Sequence, residues 1–353
     1  MKLAITALAA GGDGVGRDDA GRVTFVPRTA PGDVVEVRLG KQTRSYARGA
    51  LVRIVEASPD RVAPPCPHFL AGCGGCAWQH VASPAQLAAK QAIVAGALRR
   101  LAVAIHPIAA PAPPLGWRRR ARFHVERGRV GLYAEGTHTL VPIDHCPQLA
   151  PALDAALAGP HPDGELAIAL GYRGEVAVGD ALVELEPDLW GRASDFAQAS
   201  ADANAALIAL VRAAVGPGPG ALLELYAGAG NFTRGLAADG WTVTPTDVVA
   251  PARPPAGFIA GAAEAVISAR RAPVDAVVLD PPRAGAFAIL PDIARLAPRT
   301  IAYVSCDPAT LARDLEWLVA AGYRATDAWP VDAMPQTAHV EVVVRLRRGA
   351  LGE

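Results

Sequence analysis

Cys306 follows the apolar run Ile301–Ser305 and precedes Asp307-Pro308, so it sits at the carboxyl end of a buried strand. Asp280-Pro-Pro-Arg283 ends another such run, Ala276–Leu279, and its two prolines hold the chain extended and out of helix. Glu341 lies in His339-Val-Glu-Val-Val-Val, where a carboxylate begins a buried strand. A partly exposed thiol on such a rim can ionise and attack an electrophile, although a buried cysteine is more often structural. The glutamate is either a rim charge or a general base of raised pKa. One cysteine and one glutamate suffice for a particular reaction. C5 of uracil is a poor nucleophile, but thiolate addition at C6 makes it enolate-like. It can then take a methyl group from a sulfonium donor, after which a base removes the C5 proton and the thiol is expelled.

Glu224-Leu-Tyr-Ala-Gly-Ala-Gly-Asn231 joins a strand to a helix, and its glycines let the backbone approach a ligand closely. The third glycine of the dinucleotide fingerprint is replaced by Thr233, which argues against a pyrophosphate. Asp247 lies 19 residues after Gly228, at the end of the next strand, where an acid can accept from ribose hydroxyls. A nucleoside-bearing cofactor without a pyrophosphate fits this pattern, and S-adenosylmethionine is the obvious candidate. Adenine N6-methyltransferases carry a related acid-Pro-Pro-aromatic motif. Arg283 in the fourth position points away from methylation of an exocyclic amine.

Four of the five cysteines, Cys66, Cys73, Cys76 and Cys146, have a compact spacing, and Cys66 and Cys146 are each followed by proline. Four soft ligands suit a [4Fe–4S] cluster or tetrahedral zinc; a second Cys-x-x-Cys unit would favour zinc, and only one is present. The ligation would staple residue 66 to residue 146. Trp117-Arg-Arg-Arg-Ala-Arg-Phe-His-Val-Glu-Arg-Gly-Arg129 interleaves six arginines with Trp117, Phe123 and His124. That is the composition of a single-strand nucleic-acid surface, and equally of a solvated strand face.

The elements around these residues fall into three stretches. Residues 1–58 contain short strands, among them Arg22–Phe25, Val34–Arg38 and Leu51–Val55, separated by glycine-rich and Pro-Gly turns. They predict a small β-barrel, either a plain packing module or an oligonucleotide-binding one. Asp60–Pro67 reads as a proline-rich linker. A helix opens at Ser83-Pro84 with Ser83 as N-cap and runs to about Leu101. Residues 117–190 read mostly as strands, with a helix near 150–158. Ser194–Val215 reads as a helix ended by Gly216–Gly220. Thereafter the apolar runs Ala221–Tyr226, Trp241–Thr244, Ala276–Leu279 and Ile301–Ser305 alternate with helical stretches, and Val340–Leu346 is the last strand. This is an α/β pattern of strands buried on both faces, in a sheet that binds ligands at its carboxyl ends.

With 353 residues the chain exceeds one ordinary core, and 51% apolar with 19% charged residues describes a folded globular protein. Lysine plus arginine and aspartate plus glutamate number 34 each, so any nucleic-acid site must be a local patch. No uncharged apolar run reaches bilayer length, and Met1–Ala10 is followed by Gly-Gly-Asp-Gly rather than a cleavage site. Few and odd-numbered cysteines speak against a disulfide scaffold. A cytoplasmic monomer with no membrane partner is expected.

Taken together the motifs resemble the RNA uracil-5 methyltransferases over essentially the whole chain. Residues 1–58 look like the TRAM barrel that some members carry, and Cys66, Cys73, Cys76 and Cys146 fall on the family's [4Fe–4S] ligands. Phe196-Ala-Gln198 matches a Phe-x-Gln motif whose glutamine contacts the methyl donor. Tyr226, Gly228 and Asn231 fit the first cofactor loop, Asp247 the ribose acid and Asp280 the Asp-Pro-Pro-Arg acid. Ser305-Cys306-Asp307-Pro308 matches the nucleophile motif and His339-Val-Glu341 the base motif. The resemblance implies a class I (Rossmann-like) methyltransferase sheet over 193–353, a TRAM/OB-like barrel over 1–58, and between them, over 59–192, an α+β domain with an iron–sulfur cluster and RNA-contacting strands. It implies S-adenosylmethionine-dependent methylation of C5 of a uridine, in 23S ribosomal RNA where barrel and cluster occur together. Transfer RNA is the alternative substrate, and a non-catalytic iron–sulfur RNA-binding protein the alternative class. Two positions depart: the family's Phe-x-Gln-x-Asn ends in Ser200, and an asparagine after the third strand stands as Ala262, so donor contacts near adenine would differ.

Overall fold

The computed structural model describes residues 1–349. Strands β1 (Lys2–Leu8), β2 (Gly14–Arg17), β3 (Val23–Val26), β4 (Val34–Gln42) and β5 (Tyr46–Glu56) close into a barrel in the order β1-β2-β3-β5-β4. Alternate residues point inward, and Leu3, Ile5, Val26, Val35 and Val37 form its core. At Gly16 a β-carbon would lie 2.4 Å from the Ala4 carbonyl oxygen, so β2 can approach β1 only as glycine. Leu8 and Ala30 pack with Trp78, Val81 and Ala338, which seats the barrel on the next segment and on the chain leading to the last strand.

That next segment holds α1 (Pro67–Leu70) and α2 (Ser83–Leu98). Ala82, not Ser83, occupies the cap position of α2, and no side chain caps it. The helix ends at Leu98, short of the expected Leu101, which instead closes a turn onto the Leu98 carbonyl. After β6 (Ala104–Ile105) come β7 (Arg120–Glu126), β8 (Arg129–Tyr133), β9 (Leu140–Pro142), α3 (Pro151–Ala155), β10 (Gly164–Leu170) and β11 (Val176–Val178). The last five strands form an antiparallel sheet in the order β11-β10-β7-β8-β9, and β12 (Leu182–Glu186) with β13 (Leu189–Arg192) makes a separate hairpin. Phe123, Val125, Leu153, Leu166 and Ile168 fill the central core. Val94 and Leu98 of α2 are buried elsewhere, with Leu223 and Leu279, and β6 joins the C-terminal sheet. The stretch 59–192 therefore feeds two cores.

The C-terminal unit runs α4 (Ala201–Val215), β14 (Gly220–Leu225), α5 (Thr233–Ala238), β15 (Trp241–Asp247), β16 (Ile259–Ala260), α6 (Ala263–Ala269), β17 (Ala276–Leu279), α7 (Leu290–Leu296), β18 (Thr300–Ser305), α8 (Pro308–Ala320), β19 (Tyr323–Val331) and β20 (Glu341–Arg348). Its eight-stranded sheet has the order β16-β15-β14-β17-β18-β20-β19-β6. The strands β14 to β18 are mutually parallel, whereas β20 runs antiparallel to both of its neighbours. The helix expected from Ser194 starts only at Ala201, because the carbonyls of residues 192–195 are taken by arginines and Ser200 is the N-cap, its Oγ accepting from the Ala203 amide at 3.2 Å. Strand β19 carries Arg324, Thr326 and Asp327 and so lacks the continuous apolar run of its neighbours. Among the described residues no helix is long and apolar enough to cross a membrane.

Candidate active site

Sheet topology collects the reactive residues on one rim. Leu225 pairs with Thr246 and Leu279, and Leu279 with Tyr303, so β14, β15, β17 and β18 end within two residues of one another. Tyr226, Asp247, Asp280 and Cys306 are the residues at those ends. Glu341 reaches the same rim from the opposite direction, because β20 is antiparallel and its first residue lies where its neighbours finish. Ser305 pairs with Val342, and one more step of that register sets Cys306 across from Glu341.

Burial and mutual repulsion shape the titration of this group. The Cys306 thiol is pushed up to about 11, first by burial and then by the charges of Glu341 and Asp280; Arg283 works against them. The Glu341 carboxyl is raised by burial and by Asp280, again opposed by Arg283, and burial raises Asp280. His339 is driven down to about 4 by burial and by the cations Arg283, Lys90 and Arg118, so it is neutral at pH 7. Arg283 Nη2 lies 3.1 Å from His339 Nδ1, and Thr310 Oγ1 of α8 donates to the Arg283 carbonyl at 3.0 Å. Asp307 caps α8 by accepting from the amides of Ala309 and Thr310, which sets the turn after Cys306.

The glycine loop turns through positive φ at Tyr226 (61°), Gly228 (56°) and Gly230 (89°). The Gly228 amide donates to Asp247 Oδ2 at 2.8 Å, tying the ends of β14 and β15 together. Val248 and Val249 follow Asp247 and are 69% and 68% exposed, an apolar surface beside the carboxylate. This combination of open turn, acid and apolar shelf fits a nucleoside. Glu224, a lone acid in a buried strand, was absent from the expected site. Its Oε2 accepts from Thr233 Oγ1 at 2.6 Å, its Oε1 has no partner, and burial pushes its carboxyl up to about 7. Its place in an otherwise apolar run is the signal that could have found it. Ala262 precedes α6 in the cap position and supplies no side-chain hydrogen bond.

A cavity of about 400 Å³ is lined by Cys306, Glu341, Gln198, Phe196, Arg120 and His339, among others. Phe196 is 80% exposed. The arginine-rich stretch is not the open surface its composition suggested. Trp117 and Phe123 are buried, Trp117 with its Nε1 donating to Gln148 Oε1, so neither is free to stack on a base. Arg119 and Arg120 are buried as well. Arg120 Nη2 donates to the carbonyls of Arg192, Ala193 and Asp195, and Arg122 to that of Ser194, fixing the segment that carries Phe196 and Gln198. Arg120 Nη1 has no partner. Arg122, Arg127 and Arg129 remain exposed.

Cys66, Cys73, Cys76 and Cys146 line one cavity of about 560 Å³, which also reaches Cys306, Arg283 and His339. All four are free thiols. Burial pushes Cys76 up to about 12, with added repulsion from Cys146 and Cys73, and raises Cys73 and Cys146. Gly74 and Gly75 permit the turn: a β-carbon at Gly74 would meet the Tyr133 carbonyl at 2.8 Å. Asp154 accepts from the Cys146 amide at 2.6 Å and fixes the backbone there. Among the described residues no group of three or more His, Cys, Asp or Glu side chains is placed so that it could hold a metal ion.

Residues 1–52 match the TRAM domain family, and residues 265–349 match a family described as tRNA (Uracil-5-)-methyltransferase. An uncharacterized RNA methyltransferase of Gloeobacter violaceus is 32% identical, spanning 99% of this chain and 96% of its own. A 23S rRNA (uracil(1939)-C(5))-methyltransferase of Edwardsiella ictaluri is 34% identical over 95% of this chain and 93% of its own. The solved Pyrococcus abyssi tRNA (uracil-54, C5)-methyltransferase, in complex with S-adenosyl-L-homocysteine, has the same fold, with a TM-score of 0.75 at 23% identity and 98% and 99% coverage.

Proposed function

The chain belongs to the RNA uracil-5 methyltransferases, which depend on S-adenosylmethionine, and from that premise we propose that it methylates C5 of one uridine in 23S ribosomal RNA. The observation that carries the chemistry is the register that opposes Cys306 and Glu341 across a shared cavity. Support for the ribosomal substrate comes from relatives named for it that align along more than nine-tenths of the chain.

S-adenosylmethionine supplies an electrophilic methyl group. Asp247 would accept from its ribose, and Tyr226, Gly228, Asn231, Gln198 and Asp280 would surround the rest. Cys306 adds to C6 of a uridine drawn out of its stack. Because the resting thiol is protonated at pH 7, it must lose its proton to solvent before attack, which leaves Glu341 free for the later step. The cation Arg283 favours both ionised forms. After the methyl group reaches C5, Glu341 removes the C5 proton, the C5–C6 double bond re-forms and the Cys306 sulfur leaves as thiolate. Arg120 lines the cavity and would offer its guanidinium to a carbonyl oxygen of the base. Cys66, Cys73, Cys76 and Cys146 would hold a [4Fe–4S] cluster, since four soft donors line one cavity. It would staple the chain without taking part in methyl transfer. The barrel and the exposed arginines would hold flanking RNA, in a monomer acting in the cytoplasm.

The test uses anaerobically purified protein, labelled S-adenosylmethionine, and ribosomal and transfer RNA fractions from a strain lacking the gene. Labelled 5-methyluridine in 23S RNA is expected. Label in the transfer fraction would keep the chemistry and change the substrate. Absence of label from both, with the cluster intact, would overturn the reading in favour of a binding protein.

A further inference from the structure

One unbroken series of side-chain hydrogen bonds joins the arginine-rich segment to the glycine loop. Arg119, buried at the start of the central sheet, donates from Nη2 to Glu186 Oε1 at 2.7 Å and from Nη1 to the Leu185 carbonyl at 3.0 Å. The same Glu186 oxygen accepts from Asn204 Nδ2 at 3.1 Å. Asn204, 1% exposed on α4, exchanges two bonds with Asn231. Its Nδ2 donates to Asn231 Oδ1 at 3.0 Å, and its Oδ1 accepts from Asn231 Nδ2 at 2.7 Å. Arg119 also grips the second element of the cofactor side, its backbone amide donating to the Ala199 carbonyl at 2.8 Å and its Nε to that of Gln198 at 3.4 Å.

This arrangement crosses a boundary. Glu186 ends the β12 strand of the central hairpin, while Asn204 and Asn231 belong to the C-terminal unit. The reciprocal amide pair uses one N–H and one lone pair of Asn231 and leaves one of each, pointed in a fixed direction. Without Asn204 that amide is free to rotate. Glu186 Oε1 is thus held between two donors, Arg119 Nη2 and Asn204 Nδ2, with Arg234 as a second nearby cation.

We propose that Arg119, Glu186 and Asn204 are positioning residues that orient Asn231 and the Gln198 segment, so that methyl-donor affinity is set from the central domain. The proposal rests on the glycine loop being the donor site. No group in the series touches the reacting carbon or sulfur, so the effect falls on donor binding and leaves the RNA step alone.

The experiment measures S-adenosylhomocysteine binding to the full-length holoprotein by calorimetry, together with the KM for RNA. Asn204→Asp sets a carboxylate against Glu186 and Asn231 Oδ1; binding is expected to weaken tenfold or more, with the KM for RNA within twofold of wild type. Adding Glu186→Gln gives the new carboxylate a donor and should restore affinity to within threefold. If Asn204→Asp fails to fold, Asn204→Ser, which drops the amide pair without adding charge, is read in the same way. Unchanged affinity in either single variant, or an equal loss of RNA and donor binding unrelieved by the second substitution, overturns the proposal. Wild-type protein that fails to bind S-adenosylhomocysteine overturns the donor-site reading instead.

Discussion

Lys90 of α2 donates to Asp332 at 2.5 Å, and both side chains are withdrawn from solvent. Lys90 Nζ also donates to the Met334 carbonyl at 3.1 Å, and four residues earlier in the helix Gln86 Oε1 accepts from the Gln336 amide at 3.0 Å. Two polar side chains on one helix face thus hold the segment that enters β20 and delivers His339 and Glu341 to the rim. Lys90→Met leaves Asp332 buried and unpaired and should cost about 3–5 kcal/mol in urea unfolding. Pairing it with Asp332→Leu should recover most of that loss. A single variant within 1 kcal/mol of wild type, taken as roughly the value of an exposed pair, would show the pair to be incidental.

Cys306→Ala removes the nucleophile and leaves a small residue at a half-buried position. It should abolish methyl transfer to RNA while leaving the unfolding midpoint nearly unchanged; an active alanine variant would remove the covalent mechanism. Glu341→Gln has a different signature. Addition and methyl transfer can proceed, but nothing takes the C5 proton, so sulfur cannot be expelled. A protein–RNA adduct stable on a denaturing gel should accumulate, and its absence alongside lost turnover would place Glu341 before the addition step.

The rim residues were legible because buried parallel strands are apolar on both faces and a chemical residue at the end of each run stands out. Asp280 and Cys306 are of this kind, whereas Asp247 ends a strand rich in threonine and was legible by its spacing from Gly228. Glu341 was legible as a residue and not as a position, since the antiparallel direction of β20 is a pairing between Ser305 and Val342 that no local pattern carries. The same reason hid Lys90, whose partner is 242 residues away. The arginine stretch misled because composition does not distinguish guanidinium groups facing water from ones turned onto carbonyls, as Arg119 and Arg120 are. Ser200 departs from the family's asparagine, yet both are good N-caps, and its Oγ does cap α4.

That equivalence is testable. Ser200→Asn should leave stability within about 0.5 kcal/mol of wild type, whereas Ser200→Ala removes the only side-chain acceptor at the cap and should cost about 1 kcal/mol. Chemical denaturation of the two variants in parallel would show it. Equal losses would mean that packing around Ser200, and not the cap, sets its identity.

Cys73→Ser exchanges a soft donor for a hard one at one of the four proposed cluster ligands. Anaerobically purified variant protein should lose the brown absorbance of a cluster and unfold earlier than wild type. A colourless, stable and active variant would make the cluster dispensable.

Arg283 gives the site its pH dependence a sign. The Cys306 thiol sits at about 11, so the thiolate fraction rises tenfold per pH unit throughout the physiological range. The Glu341 carboxyl is also raised, and it must be ionised to accept a proton. Both requirements favour higher pH, so single-turnover methyl transfer should climb from pH 6 to pH 9 without an alkaline fall from either group. Arg283 lowers both groups, and Arg283→Gln removes that pull. The Cys306 share of the deficit is constant at every pH below its pKa, whereas the Glu341 share fades as that carboxyl ionises, so the rate should fall on the order of tenfold or more at pH 7 and the gap should close only in part toward pH 9. A variant with wild-type rates across this range would mean that the charge Arg283 places beside Cys306 and Glu341 does not set their reactivity.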